Sequence, residues 1–505
     1  MEKSIIVIGA GISGLSAGCY GRMNGYGTKI FEMHTMPGGV CTTWTRKNYR
    51  IDGCIHWLTG SRLGSSFNSI WQELGAVQGR AFFDHEEYAR IEGKDGEELI
   101  VYANVDHLEE HMKGLAPEDK DLIEEFATGI RKCLNFPMPV EKAPELFSLA
   151  DRFGMMRAMF PYMRFFGKWG KITLKEYAQR FRNPFLREVF PLIVNLQNPP
   201  EFPILALFMT LAWMHKGVAG YPMGGSLEFA KAIERRYITL GGEVQYKSRV
   251  SKILVEKGCA VGVRLADGSE HRSDIVISAA DGHTTIFTML DGKFINRKIR
   301  RYYTQLPLFP SLVYVGIGVR GSFENVPKTV TGIDYPVDEG IEVGGQERKR
   351  LSVQFYNFDP SLAPTGRTYV RVMFATDYDY WRRLYSNTER YKAEKQRVAE
   401  EVIARLDQRF PKFAENIEMV DVATPMTFVR YTGNWRGSFE GWLISTETLR
   451  MRMKKTLPGL KNFYMAGQWV EPGGSLPTAA MSGRNAIQII CRKDKKTFVA
   501  ERPSV

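Results

Sequence analysis

The first 32 residues constrain the fold more than any later stretch. An apolar strand, Ile5-Ile6-Val7-Ile8, runs into Gly9-Ala10-Gly11-Ile12-Ser13-Gly14. Small residues follow, and Glu32 closes the next apolar run, Thr28-Lys29-Ile30-Phe31. Each part has a physical role. Gly9 permits a tight turn, Gly11 lets the backbone come close to a pyrophosphate, and Gly14 lets the helix pack on the strand. Ile12 and Ser13 open that helix, whose free N–H groups and positive dipole end suit phosphates. Glu32 is spaced to accept hydrogen bonds from a ribose 2′-OH, which favours a dinucleotide without a 2′-phosphate. With strand, turn, helix and acid in register, the segment predicts a Rossmann-like α/β unit.

At 505 residues the chain is too long for one core, so two or more domains are expected. The six cysteines, Cys19, Cys41, Cys54, Cys133, Cys259 and Cys491, are scattered, with no C-x-x-C pair. They read as reduced thiols, and no His/Cys cluster has metal-ligand spacing, so no metal is expected. The strand at residue 5 leaves no room ahead of it for a signal peptide, and the expectation is a cytoplasmic protein. The longest apolar run, about 204–214, is too short to cross a bilayer, which needs about 20 residues. The net charge of +12 fits either solubility or attraction to anionic lipid. It does not point to nucleic acid, because no basic helix or nucleic-acid motif accompanies it.

The α/β pattern returns twice. Gly224-Gly225-Ser226 precedes a helical pattern from Leu227 to Leu240, with Ser226 as the expected N-cap. Strand-like runs follow at 250–256, 260–265 and 274–280, with the turn Ala266-Asp267-Gly268-Ser269 where a hairpin would bend. Near the end, Asn462 to Gly467 leads through a Gly/Pro loop to a helix expected from about Pro477 to Cys491. The nucleotide domain is thus expected in three pieces, 1–79, 224–289 and 456–505. The insertions 80–223 and 290–455 are expected to build a substrate domain, the first facing a membrane and the second holding a sheet.

Five segments in this order resemble the phytoene desaturase and carotenoid isomerase group, within the amine-oxidase-like flavoprotein superfamily. They are Gly9–Gly14 with Glu32 and Pro37-Gly38-Gly39; Tyr49 to Gly53; Tyr221-Pro222-Met223-Gly224-Gly225; Thr424-Pro425-Met426-Thr427; and Met465-Ala466-Gly467 through Gly473-Gly474 to Gly483. The resemblance implies a glutathione-reductase-like FAD-binding domain with a mixed sheet-plus-helix substrate domain. It implies non-covalent FAD and a long apolar substrate that is desaturated, saturated or isomerised. Gly38 and Gly39 would let backbone approach the cofactor. Gly467, Gly474 and Leu476 would set a helix N-terminus against the flavin ring, where a dipole stabilises negative charge. Val250 resembles the strand residue beside the adenine. No cysteine lies in the 467–477 loop, so no covalent thioether is expected. The basic residues of the family's pattern are missing at Met33 and Val40, which leaves Arg46 or Arg62 to supply positive charge.

His56 is the side chain suited to proton transfer, since imidazole titrates near neutral pH and the family's chain passes the flavin there. Trp57 would wall the flavin, and Tyr221 and Arg430 are weaker candidates. Gly316 to Gly321 repeats the glycine spacing, but no helix follows it, and it reads as a strand and turn rather than a second nucleotide site. Residues 151–221 hold 14 aromatic residues. From Arg152 to Lys171 cations alternate with Phe, Met and Trp, the composition of an interfacial segment that contacts a membrane from the cytoplasmic side, or of a helix packed on its own domain. Homo-oligomerisation is open. Two other readings stay in view: a flavin amine oxidase, and a prenyl-binding protein of the GDP dissociation inhibitor type. The intact Gly9, Gly11, Gly14 and Glu32 weigh against the second.

Overall fold

The computed structural model describes residues 2–194, 202–451 and 453–503; residues 195–201, inside the insertion 80–223, lie outside it. The strand Ser4–Ile8 is the centre of a five-stranded parallel sheet. In spatial order the strands are Phe463–Met465, Ile275–Ser278, Ser4–Ile8, Gly27–Phe31 and Glu243–Gln245. Apart from a terminal serine in each, Ser4–Ile8 and Ile275–Ser278 are continuously apolar, as a sheet covered on both faces requires, whereas Lys29 interrupts Gly27–Phe31. The helix Ile12–Met23 lies on this sheet beside Gly225–Thr239 and Leu476–Lys493. The Rossmann-like α/β expectation therefore holds, and the sheet draws strands from all three separated stretches.

The expected N-cap at Ser226 is a correction. The helix starts two residues earlier, with Gly224 as N-cap in the left-handed region at φ 95°. The Ser226 hydroxyl is committed elsewhere, accepting a hydrogen bond from the Ile55 N–H at 2.8 Å. The expected hairpin is present, with Cys259–Leu265 pairing antiparallel to both Val250–Glu256 and Glu270–Arg272.

A seven-stranded mixed sheet forms the second layer. Its order is Ile417–Ala423, Ser311–Arg320, Arg367–Thr376, Gln346–Phe355, Ile333–Val343, Glu87–Glu92 and Glu98–Tyr102. Strands of both insertions thus share one sheet, joined where Ile333 and Asp334 pair in parallel with Arg90 and Ile91. The glycine-spaced run from Gly316 lies in the strand Ser311–Arg320. A Cβ at Gly318 would sit 2.6 Å from the Tyr49 ring, so that glycine makes room for an aromatic side chain, not for a phosphate.

The remainder of 80–223 is largely helical. The helix Ile204–His215 packs on Lys120–Cys133. The aromatic segment is one long helix, Leu149–Trp169, opened by a Ser148/Asp151 capping box and carrying Pro161 in its interior. Among the described residues, no helix is long and apolar enough to cross a membrane.

Candidate active site

A cavity of about 1530 Å³ is walled by three parts of the chain. The glycine turn supplies Gly9, Gly11, Ile12 and Ser13, with Glu32, Gly38 and Gly39 beside it. The C-terminal loop supplies Gly467, Gly474 and Leu476. The insertion supplies Met155, Met159, Phe166, Leu205, Met209 and Trp213. Val250, His56, Trp57 and Arg430 also line it. The volume exceeds the usual range for one drug-sized ligand, roughly 300–1,000 Å³, and leaves room for a dinucleotide with a second molecule. Gly14 does not reach the cavity. It packs behind the turn, where an added Cβ would lie 1.9 Å from the Gly9 carbonyl oxygen.

The local geometry fits a flavin dinucleotide. Gly11 is extended (φ −67°, ψ 175°), and a Cβ there would meet only the Gly38 carbonyl at 3.9 Å. Its bareness serves something in the cavity, not the packing of the chain. Both Glu32 oxygens accept backbone hydrogen bonds, from Ala10 N–H at 2.7 Å and His34 N–H at 2.8 Å. These fix the carboxylate at the cavity wall, while burial still raises its pKa. At the far loop, Gly473, Gly474 and Ser475 have φ of 101°, 61° and 79°. Ser475 is strained there, which is common at ligand sites. The helix after it has no side-chain cap, so its first N–H groups are left for a ligand.

The expectation about positive charge changes. Arg46 pairs with Asp421 at 2.9 Å and Arg62 with Asp84 at 2.5 Å, and neither lines the cavity. Both lie in segments whose partners are carboxylates distant in sequence. The cations at the wall are Arg249 and Arg430. Cys491 is buried in the terminal helix, but Cys41 and Cys54 line the cavity. Burial, then Cys54 beside it, pushes the Cys41 thiol well up, which leaves a poor nucleophile. Among the described residues no cluster suits a metal ion.

His56 and Asp281, both at the wall, are desolvated. Burial, with Arg371 second, holds the His56 imidazole well below its ordinary value, so it stays neutral at pH 7. Burial raises Asp281 to about 6, although it accepts hydrogen bonds from Thr284 N–H at 2.7 Å and Trp435 N–H at 2.9 Å. Trp57 stands between His56 and Tyr88, with ring centroids 6.1 and 5.7 Å away. Tyr221 is not at the wall. It is buried and donates to Asp52 Oδ2 at 2.7 Å, and that carboxylate also faces the Ser226 N–H at 3.3 Å. Arg371 completes this layer. It donates to the Asp52 carbonyl at 3.2 Å and to Gln354, and lies over the Tyr356 and Tyr314 rings at 5.1 and 5.7 Å. This network anchors the start of the 53–57 segment.

The chain is similar to chloroplastic prolycopene isomerase of Daucus carota, 24% identical across 95% of this chain and 79% of that protein. It is also similar to the neurosporene-forming phytoene desaturase of Cereibacter sphaeroides, 23% identical across 94% of this chain and 91% of that one. Among solved structures, an oxidoreductase from Methanosarcina mazei aligns with a TM-score of 0.62 over 96% of this chain and 100% of its own. At 17% identity, that likeness concerns the fold alone. The model of the family described as flavin containing amine oxidoreductase matches residues 12–491. A glycine turn with its acid, a second glycine loop at a helix start and a match over most of the length agree: this chain belongs to the flavin containing amine oxidoreductase family and is a flavin-dependent oxidoreductase.

Proposed function

We propose that the chain holds FAD without a covalent bond and acts on a carbon–carbon bond of a long, apolar, conjugated molecule. Desaturation, saturation and isomerisation are the reactions in view. The observation that carries this reading is the continuity of the cavity: the wall that suits a dinucleotide runs on into Met155, Met159, Phe166, Leu205, Met209 and Trp213. Such a surface recognises hydrocarbon and excludes water. The names of the relatives, a prolycopene isomerase and a phytoene desaturase, support the same substrate class. When bound, the flavin supplies two-electron hydride exchange. The chain would supply orientation: Trp57 and Tyr88 would wall the ring, Gly11 and the helix Ile12–Met23 would hold phosphate, and Glu32 would hold ribose.

The purified protein is expected to be yellow, and acid denaturation should release all of its flavin into the supernatant. Anaerobic incubation with phytoene or prolycopene in liposomes should yield a product changed in mass or in geometry. Colourless protein that cannot be reconstituted with FAD would sink the reading. Hydrogen peroxide from amines, with no change in either polyene, would replace it by an amine oxidase.

We also propose that the protein docks on an anionic membrane through the helix Leu149–Trp169. Leu149, Phe153, Met156, Phe160 and Met163 follow one another at steps of three and four residues, and so share a face. That face is open: Leu149, Phe153 and Phe160 are 85%, 64% and 74% exposed. Exposed Arg152, Arg157 and Arg164 lie at its flanks, where cations meet lipid phosphate. An adjacent side of the same helix, about 100° round from that face, brings Met155, Met159 and Phe166 to the cavity. In flotation with vesicles containing phosphatidylglycerol, the Phe153→Ser/Phe160→Ser double variant should lose about 10-fold or more in binding, with its flavin retained. Equal flotation of variant and wild type would refute the contact.

A further inference from the structure

One carboxylate at the cavity wall has no partner to explain it. Glu440 lies in the turn after Ser438, where the Ser438 hydroxyl accepts the Gly441 N–H at 3.0 Å. The Gly441 carbonyl takes the Phe309 N–H at 3.0 Å, and the next carbonyl, of Trp442, takes the Gly473 N–H at 3.0 Å. The turn is therefore tied both to the segment that leads into the strand Ser311–Arg320 and to the glycine loop before the terminal helix. Its side chain packs on that loop: a Cβ at Gly474 would lie 2.7 Å from Glu440 Cβ and 3.0 Å from Oε2. Among the described residues no hydrogen bond or ion pair satisfies the carboxylate, and desolvation alone raises its pKa to about 7.

The surroundings do not offer a structural reason. Tyr88, from the strand Glu87–Glu92, and Tyr314, from Ser311–Arg320, are the groups that sense its charge. The Tyr314 hydroxyl already donates to the Gly53 carbonyl at 3.0 Å. The loop from Pro472 to Ser475 brings no ionisable side chain, and the nearby Glu471 is held by Lys455 at 2.7 Å. His56 lines the same cavity and is neutral. Glu440 is half-buried at the cavity wall, and an unpaired carboxyl held against an apolar wall is poorly solvated; such groups persist where their ionisation is used.

We propose that Glu440 is a catalytic residue that exchanges a proton with the carbon next to the one that exchanges hydride. The proposal rests on the flavin reading above. In the oxidising direction the carboxylate takes a proton from one carbon while the neighbouring carbon loses hydride to the oxidised flavin. The C–C bond becomes C=C, two electrons reduce the flavin, and Glu440 ends as the neutral acid. In the reverse direction the acid returns its proton as hydride comes from the reduced flavin. A group that titrates near the working pH is suited to both directions.

The test uses the holoprotein with Glu440→Gln and Glu440→Asp. Absorption of the bound flavin, followed from about pH 5 to about pH 9, should show a step with its midpoint near 7 in the wild type. Asp should keep that step and Gln should abolish it. With phytoene or prolycopene as probe, Gln should cut turnover about 100-fold or more at unchanged FAD content, and Asp by less. A Gln variant within about threefold of wild-type turnover overturns the proposal, as does a wild-type spectrum without the step. A wild type that converts neither polyene overturns the functional reading instead, and the spectral step then decides the position of the carboxyl by itself.

Discussion

The substitution Gly11→Val is expected to give a folded protein that purifies without flavin. Gly11 has an extended backbone that any residue adopts, and the space beyond its missing Cβ is cavity rather than protein. The first carbon of a side chain there meets only the Gly38 carbonyl, at an ordinary contact distance of 3.9 Å, and a branched side chain occupies the path by which phosphate reaches the helix N-terminus. We expect the Kd for FAD to rise about 100-fold or more, about 2.8 kcal/mol at 1.4 kcal/mol per tenfold. The melting temperature of the flavin-free protein should stay within a few degrees of flavin-free wild type. Flavin absorbance per protein and a reconstitution titration check this. Gly14→Ala is the contrasting case. Its Cβ would lie 1.9 Å from a backbone carbonyl oxygen, so the turn itself must move, and stability rather than affinity should fall first, by more than about 2 kcal/mol. A Gly11→Val variant with full flavin content would remove the glycine turn from the site.

Arg371→Met is expected to cost about 3–5 kcal/mol. Arg371 is 1% exposed, bonds the Asp52 backbone carbonyl at 3.2 Å and favours the ionised form of the buried Asp52 carboxylate through its charge, so removing it leaves a buried charge without that compensation. Methionine fills much of the volume and keeps contact with Tyr314 and Tyr356, so the loss reports charge and hydrogen bonds rather than a void. Urea unfolding of the flavin-free protein measures it. A second readout has a fixed sign. The Arg371 charge helps to hold the His56 imidazole below its ordinary value, so the variant's His56 should take up its proton at a higher pH, visible by NMR of the imidazole. A variant as stable as wild type would show that Asp52 is satisfied by Tyr221 and Ser226 without the cation.

What the sequence discloses of this site depends on how locally each feature is encoded. Gly9, Gly11 and Glu32 are legible because a turn, a close approach and a strand end are set by residues within one βαβ unit. The terminal helix is legible for the same reason: glycines and a proline bracket its start at Leu476. Glu440, Cys41 and Cys54 carry no local signal. Glu440 reaches the cavity because Trp442 bonds to Gly473, a contact formed only when two distant loops meet. Arg46 and Arg62 are sensible sources of positive charge by proximity in the chain, yet each is taken by a carboxylate from another segment. Arg249 reaches the wall because it precedes the strand starting at Val250. The sharing of one sheet by both insertions is hidden too, since the parallel pairing of Arg90 with Ile333 spans over two hundred residues. Ser226 has the right chemistry for a helix cap, but Ile55 recruits its hydroxyl.

The helix Leu149–Trp169 borders both the cavity and the solvent, with Met155 and Met159 at the cavity and Met156 and Phe160 exposed on the adjacent side. If a bilayer lies against the exposed side, a hydrophobic substrate passes the helix without entering bulk solvent. Catalytic rate would then follow the mole fraction of substrate in the lipid, and adding inert lipid at constant total substrate would slow the reaction by surface dilution.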